Sequence, residues 1–348
     1  MSDKSFDYWD YFLTECERSN APLYVQIIRG VSKDDALKEM ASHVKPGQPP
    51  ANMLLASVHY LLLRGADHPL RALYPNLNGG HSRPEEDAFP LFQDFVAQHR
   101  TELEPLIASG VTNTNEVARC SSLHAGFRAV AQDAGEPLHL IEIGPSAGLN
   151  TIWDRYAVRY THGGKTHTVG PTDAPLTLDC ELRGDHLPPF GPTPKVASRV
   201  GLELNPVDLT DPHWRDWLRA LVWPDQVARF ARLEKAIGIY LQHKTEIRAG
   251  SALDLLPDAL ARLPEDQPVC VYHTYVTYQF SEAMREALDA ILTMAGLRRP
   301  IWRLSAEGSL ARIGEAPLAL SRYHDGTKET RPLALCHPHG AWLEWQDA

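Results

Sequence analysis

Residues 138–150 combine residue types that could either bind a cofactor or present a nucleophile. A short apolar run ends at Glu142, the turn Gly-Pro-Ser-Ala-Gly follows at 144–148, and a helix-like pattern starts at Leu149. Glycines let a chain turn sharply and let a ligand approach its backbone closely. The same turn has the Gly-x-Ser-x-Gly form of a nucleophile elbow, with Ser146 at its centre. The sequence therefore predicts either a nucleotide-like cofactor site or a nucleophilic serine here.

Residues further along the chain favour the cofactor interpretation. Ligands of a parallel sheet bind beyond the carboxyl ends of its strands. Glu142 ends the first predicted strand, and Glu203 ends the next and suits two ribose hydroxyls. Ser251 and Ala252 follow the third predicted strand, where a purine ring would lie against Ala252. Because a complete Gly-x-Gly-x-x-Gly sequence is absent, the expected cofactor is S-adenosylmethionine rather than a dinucleotide.

Three residues at the end of the fourth predicted strand are candidates for the catalytic role. His273 ends that strand, and Tyr275 and Tyr278 follow it closely. A histidine in this position could act as a base, and the tyrosines could shape a pocket for the methyl acceptor. The alternative is a set of core aromatic residues around a hydrogen-bonded histidine. Similarly, the segment 115–119 is either a lid contact over the site or a helix cap with a local ion pair.

A serine hydrolase is the second interpretation of the glycine turn. It would use Ser146, then Asp254 or Glu307, and then His337 or His339, in the chain order of that enzyme class. The helical pattern upstream of Ser146 disfavours it, because an elbow normally follows several strands of its sheet. The two C-terminal histidines also resemble metal ligands, but no acidic or cysteine partner stands at metal spacing, so no metal is predicted.

The function expected from these residues is methyl transfer from S-adenosylmethionine to a small or medium acceptor. The protein would chiefly hold donor and acceptor close together, and a base is needed only if the acceptor must lose a proton. A nucleoside-binding sensor or interaction protein without catalysis is the alternative from another class. An NAD-dependent oxidoreductase is weaker because of the incomplete dinucleotide sequence. The sequence specifies neither the acceptor nor the oligomeric state.

The elements that must position these residues fall into two parts. Apolar residues at helical spacing predict an all-helical N-terminal domain over residues 1–135. From residue 136 short apolar strands alternate with helices, which predicts an α/β domain over 136–348 with a Rossmann-like methyltransferase sheet. A β-hairpin and an irregular loop form a predicted insertion at about 156–195.

Composition restricts the possible partners and the compartment. The chain has 348 residues and a formal net charge of −10, without a Lys/Arg block, so no nucleic-acid partner is expected. Its five cysteines are isolated and form no C-x-x-C pair, which favours a reducing compartment. No apolar run approaches the length of a membrane span, and the N-terminus lacks secretion features. We therefore expect a cytoplasmic protein with a small-molecule substrate and no membrane partner.

Six sequence blocks, in this order, resemble an uncharacterised bacterial family catalogued as domain of unknown function 2332. They are Thr114–Val117, Glu142–Asn150, Glu203–Pro206, Trp223–Gln226, Tyr272-His273 and His337–Gly340. The C-terminal part of this family is similar to S-adenosylmethionine-dependent methyltransferases. The resemblance thus implies that fold and that cofactor, and it implies no substrate. It places Gly144, Ser146, Gly148 and Asn150 of the glycine turn in the cofactor site.

The chain departs from the family pattern at three positions. Glu203 stands where Asp is usual, Tyr272 where Phe is usual, and Ala118 where Gly is usual. None of these changes removes a ligand-binding atom.

Overall fold

The structure is a computed structural model that describes residues 7–83, 87–308 and 314–346. The chain divides into two compact units. The first comprises Met1–Thr114 and Asp208–Glu234, and the second comprises Asn115–Val207 and Lys235–Ala348. The segment 208–234 therefore groups with the N-terminal part of the chain, although strands precede and follow it in sequence.

Helices occur in both units. The α-helices of the described residues are α1 (Tyr8–Arg18), α2 (Pro22–Val31), α3 (Asp35–Ser42), α4 (Pro50–Leu63), α5 (Ala88–Gln98), α6 (Arg100–Ser109), α7 (Cys120–Ala134), α8 (Pro212–Ala220), α9 (Val227–Gln242), α10 (Ala252–Ala261) and α11 (Glu282–Gly296). Short 3₁₀-helices cover Pro69–Leu73, Pro75–Leu77, Val117–Arg119, Leu149–Arg155 and Thr277–Gln279.

The first unit contains no strand within its described residues. Helix α4 is apolar on nearly every side and is buried along most of its length, as expected of a central helix. The returning segment completes this core. Trp217 of α8 packs edge-on against Tyr60 of α4, with ring centroids 5.8 Å apart, and Trp223 lies 5.6 Å from the ring of Phe12.

The second unit is built on one mixed sheet. Its strands are β1 (Leu138–Ile143), β2 (Ala157–His162), β3 (Lys165–Val169), β4 (Thr177–Arg183), β5 (Val196–Glu203), β6 (Glu246–Ala249), β7 (Val269–Thr274), β8 (Ile301–Ala306), β9 (Ala316–His324), β10 (Thr327–Cys336) and β11 (Trp342–Trp345). Their order is β3-β2-β4-β11-β10-β9-β8-β7-β1-β5-β6. The α/β class expected from the sequence is thus confirmed, whereas the methyltransferase topology stays a prediction.

Five neighbouring strands, β6-β5-β1-β7-β8, run parallel to one another. Strands β1 and β7 are buried at every position, which explains their almost uninterrupted apolar sequences. The chain starts this group at its centre, builds outward through β5 and β6, and then returns to the other side of β1 with β7 and β8. The order of the strands therefore reverses between β1 and β7.

Two local predictions need correction. The predicted hairpin is present, with β2 antiparallel to β3, but the irregular loop predicted up to residue 195 contains strand β4. Leu178, Cys180 and Leu182 alternate with exposed residues in β4, and the surrounding Pro, Gly and Asp residues obscured this period of two. The α-helix predicted from Leu149 is a 3₁₀-helix of 7 residues with a kink at Ile152.

Candidate functional site

The candidate site lies at the carboxyl edge of the parallel strands, where the strand order reverses. In open α/β sheets this reversal opens a crevice beside the strand ends, and ligands bind there. Glu142 lies at the end of β1, Glu203 ends β5, and Thr274 ends β7. Strands β1 and β5 are hydrogen-bonded neighbours, with Ile143 opposite Leu202, so the two glutamates share this edge.

The turn after β1 requires glycine at both ends. Gly144 has φ +67° and Gly148 has φ +81°, which is the left-handed region that favours glycine. A Cβ atom at Gly144 would lie 2.6 Å from a methyl group of Val276, and one at Gly148 would lie 2.8 Å from Ile247. Ser146 also has positive φ, +57°, although it carries a side chain. The turn is thus a strained backbone that packs closely against two neighbouring segments.

Glu203 ties this turn to the end of β5. The backbone N–H of Ser146 donates to Oε2 at 2.7 Å, and that of Asn205 donates to Oε1 at 3.0 Å. The residue is 8% exposed. Each carboxylate oxygen accepts more than one hydrogen bond, so these two contacts leave acceptor capacity for ligand hydroxyls.

Glu142 is a buried carboxyl group, only 2% exposed. The hydroxyl of Tyr272 donates to its Oε2 at 2.9 Å. Burial raises the pKa of Glu142 to about 8; the Tyr272 hydrogen bond and Arg119 oppose this, and the negative charge of Glu203 adds to it. Two acidic groups therefore lie at the same edge of the sheet. Burial of Glu142 and repulsion from Glu203 make its ionisation cost free energy, which a positively charged ligand would offset.

The remaining predicted cofactor residues lie around this turn. Asn150 is buried, and its Oδ1 accepts a hydrogen bond from the Cys120 thiol at 3.4 Å. Ser251 and Ala252 are half-buried at the start of α10. The N–H of Gly250 just before them donates to the carbonyl of Glu203 at 2.9 Å, so the structure brings the end of β6 to the end of β5.

His273 is fully buried, and both of its ring nitrogens are hydrogen-bonded. Nδ1 lies 2.6 Å from Oε1 of Glu307, and Nε of Arg303 donates to Nε2 at 2.9 Å. Because Arg303 can only donate, Nε2 is the acceptor and Nδ1 carries the proton. Burial lowers the pKa of His273, although the adjacent Glu307 opposes this. The geometry therefore fits a neutral histidine that orients Glu307.

Tyr275 and Tyr278 lie next to this histidine. Tyr275 has φ +58°, the guanidinium of Arg119 lies 4.2 Å from its ring centroid, and its buried hydroxyl has no hydrogen-bond partner in the described part of the chain. Tyr278 is exposed, with its ring 6.2 Å from that of Tyr275. Both are thus available as walls of a pocket, and their role stays a prediction.

Two residues from opposite ends of the second unit, Glu116 and His339, form a pair that the sequence did not predict. Oε2 of Glu116 lies 3.1 Å from Nδ1 of His339, while Oε1 accepts the N–H of Ala118 at 3.1 Å and caps the following 3₁₀-helix. The cap was one of two expectations for this segment. The pairing spans 223 positions, so no local spacing could have indicated it.

The residues proposed for a serine hydrolase have different partners from those expected. Glu307 pairs with His273, and His339 pairs with Glu116, which precedes Ser146 in the chain. Asp254 lies in the first turn of α10.

The described residues include neither a metal-binding group nor a membrane-spanning helix. They contain no group of three or more His, Cys, Asp or Glu side chains placed to hold a metal ion. None of their helices has the length and apolar character needed to span a membrane. The five cysteines are buried and unpaired.

Comparison with known proteins identified one family. The family model described as an uncharacterized protein conserved in bacteria, DUF2332, matches residues 10–345. No curated protein and no solved structure matches the chain.

Proposed function

The chain belongs to the bacterial family DUF2332, and we propose that its α/β unit binds S-adenosylmethionine and transfers the methyl group to a small or medium acceptor. One observation carries this proposal. Two buried carboxyl groups, Glu142 and Glu203, end adjacent strands beside a strained glycine turn, where the strand order reverses. Such a site favours a ligand with positive charge and with hydroxyl groups.

S-adenosylmethionine has the chemistry that this set of residues would accept. It carries a positive sulfonium and an ammonium group, which would stabilise the ionised form of Glu142, and a ribose whose two hydroxyls would donate to Glu203. The backbone of Gly144–Gly148 permits close approach, and the half-buried Ser251 and Ala252 would lie beside the adenine.

Two features of the fold support the same ligand class. The order of the five parallel strands, with the first strand central and the second and third on one side, supports a Rossmann-type arrangement, which binds nucleotides. The short 3₁₀-helix after the glycine turn offers little helix dipole to a pyrophosphate. A nucleoside with positive charge therefore fits better than a dinucleotide.

The cofactor would supply an activated methyl group, and the protein would supply position and a dry environment. The displacement requires the acceptor atom to approach the methyl group in line, so binding both partners in contact removes much of the barrier. The exposed Tyr278 and the partly buried Tyr275 would bind the acceptor beside the end of β7.

Equilibrium dialysis with labelled S-adenosylmethionine tests the proposal. Saturable binding is expected for the wild type, and Glu142→Gln and Glu203→Gln should each weaken it at least about tenfold, as for loss of a buried charged partner. Glu246→Gln is the matched control, because this exposed glutamate starts β6 at the opposite edge of the sheet. Absence of saturable binding to the wild type would contradict the proposal. Tight binding without methyl transfer across a broad acceptor panel would instead favour a sensor.

The backbone conformation of Ser146 favours a second candidate function, a serine hydrolase. A serine with φ +57° after a buried strand resembles the strained turn of a nucleophile elbow. A serine hydrolase would be labelled at this residue by a fluorophosphonate probe, and Ser146→Ala would abolish the label. A methyltransferase does not need a nucleophilic serine, so the probe should not label Ser146 if the first function is correct. The two functions therefore predict opposite results.

A further inference from the structure

The turn at His337–Gly340 is fixed against the segment that precedes α7. Nε of Arg119 donates to the carbonyl of Pro338 at 2.9 Å, and the hydroxyl of Ser121, in the first turn of α7, lies 3.3 Å from the carbonyl of Gly340. Gly340 has φ +67°, and a Cβ atom there would collide with the carbonyl of Ala118. Three contacts thus hold the two segments in one arrangement.

This arrangement gives His339 a defined protonation pattern. Its Nδ1 lies 3.1 Å from the Glu116 carboxylate, which accepts, so Nδ1 carries the proton of the neutral ring. Nε2 is then the unprotonated nitrogen, and no described residue hydrogen-bonds it. The side chain of Glu116 is 1% exposed, whereas that of His339 is 49% exposed. A buried carboxylate therefore orients an accessible base.

The residues on either side of Glu116 contact the candidate cofactor site. Asn115, adjacent to Glu116, accepts the N–H of Leu149 at the end of the glycine turn, at 2.9 Å. Three residues further on, Arg119 lies 3.5 Å from the carbonyl of Thr274 at the end of β7 and stacks on Tyr275. The segment that carries Glu116 thus extends from the first residue after the turn to the predicted acceptor pocket.

We propose that Glu116 and His339 form the proton-accepting pair of this site, which serves an acceptor that must lose a proton, and that this acceptor is a hydroxyl group. The proposal rests on the methyl-transfer function above. Nε2 of His339 takes the hydroxyl proton as the acceptor oxygen attacks the methyl carbon. The new O–CH₃ bond forms as the C–S bond breaks, and its electron pair stays on sulfur as a neutral thioether. His273 does not fill this role, because both of its ring nitrogens are already bonded.

Other polar groups near His339 do not replace this pair. The ring of His337 lies 5.8 Å away, and its Nδ1 accepts the backbone N–H of His339. Burial lowers the pKa of His337, and the nearby charge of Arg183 lowers it further. Its Nε2 therefore carries the proton in the neutral ring, which makes it a donor rather than a base.

The Glu116→Gln variant tests whether Glu116 sets the tautomer of the His339 ring or only packs against it. Both oxygens of Glu116 accept hydrogen bonds, but glutamine has one oxygen and one amide nitrogen. The N–H of Ala118 can only donate, so it retains the oxygen, and the amide group faces His339. Nδ1 must then accept, and the proton moves to Nε2. An analogous Asp→Asn change in serine proteases removes activity through the wrong tautomer.

The test compares wild type with Glu116→Gln and His339→Gln by two measurements. The ¹⁵N chemical shifts of His339 should report the proton on Nδ1 in the wild type and on Nε2 in Glu116→Gln. Methyl transfer from S-adenosylmethionine to catechol should lose about 10² to 10⁴ in kcat in both variants, the usual effect of a general base, with KM little changed. Transfer to thiophenol, which is already ionised at pH 8, should be unaffected.

His324→Gln is the matched control. His324 is 44% exposed and its Nδ1 lies 3.0 Å from Asp325, but it ends β9 at the opposite edge of the sheet. Methyl transfer to catechol should be unchanged in the His324→Gln variant. Three results would each overturn the proposal. The first is a proton on Nε2 of His339 in the wild type, and the second is undiminished methyl transfer to catechol in His339→Gln. The third is the absence of methyl transfer to catechol by protein that binds the cofactor. Failure of S-adenosylmethionine to bind would instead contradict the proposed function itself.

Discussion

At the residue scale, the most consequential group is Glu142, a carboxyl buried among strands. The free-energy cost of burying this carboxyl group in its ionised form can be measured without any ligand. Since burial raises its pKa from the ordinary 4.5 to about 8, the folded protein retains a proton that the unfolded chain releases between these values. The contribution of Glu142 to the free energy of unfolding therefore falls as the pH rises through this window.

Glu142→Gln should remove this pH dependence. The glutamine oxygen can still accept the Tyr272 hydroxyl, so the variant should gain stability relative to wild type as the pH rises from 5 to 9. We expect the difference to grow by more than about 1 kcal/mol, since one pKa unit corresponds to about 1.4 kcal/mol. Urea unfolding at both pH values measures it. An equal difference in the free energy of unfolding between Glu142→Gln and wild type at pH 5 and pH 9 would contradict the raised pKa. For the control Glu246→Gln, the difference from wild type should not change with pH.

At the element scale, Glu307 positions the loop between β7 and α11. It accepts hydrogen bonds from the N–H groups of Val276 and Tyr278, each at 3.0 Å, as well as from His273. Burial alone would raise its pKa, but the hydrogen bonds from His273 and from the two N–H donors hold the pKa of Glu307 below its ordinary value. Val276 in turn lies against Gly144, so this loop supports the glycine turn.

Glu307→Ala should loosen this loop. Three donors lose their acceptor, and we expect a loss of about 3 kcal/mol in the free energy of unfolding. Faster hydrogen exchange at the Val276 and Tyr278 amides would localise the effect. Glu286→Ala, an exposed change in α11, serves as the control. Unchanged exchange at both amides in Glu307→Ala would show that Glu307 does not position the loop.

The sequence predicted the elements that bear the site better than the contacts between them. Apolar runs revealed β1 and β7, and the acidic residues that follow such runs indicated the carboxyl edge. The bonds of His273 to Glu307 and Arg303 depend on the register of β7 and β8, which a single strand does not specify. The Glu116–His339 pair depends on a turn after β10 meeting the segment before α7, so no local pattern could predict it.

At the scale of the whole molecule, the helical unit is discontinuous in sequence. Segment 208–234 supplies Trp217 and Trp223 to a core otherwise made by residues 1–114. Aromatic side chains of this size contribute much of the stability of a core, because each buries a large apolar area. The two parts of this unit therefore depend on each other.

A fragment that contains only residues 115–348 should be poorly soluble. It would expose the apolar face of α8, including Trp217 and Leu218, which are buried in the complete chain. Light scattering of the purified fragment should reveal aggregation, and co-expression with residues 1–114 should restore solubility. A monodisperse fragment that does not bind a hydrophobic dye would contradict this dependence.

The central claim is that Glu142 faces a positively charged nucleoside. Because its pKa is about 8, Glu142 is largely protonated at pH 7, and a cationic ligand should displace this proton. Calorimetry of S-adenosylmethionine binding at pH 7, in buffers of different ionisation enthalpy, should therefore show release of about one proton per ligand bound. Glu142→Gln should show weaker binding and no release. Binding to the wild type without proton release, or no binding, would contradict the account.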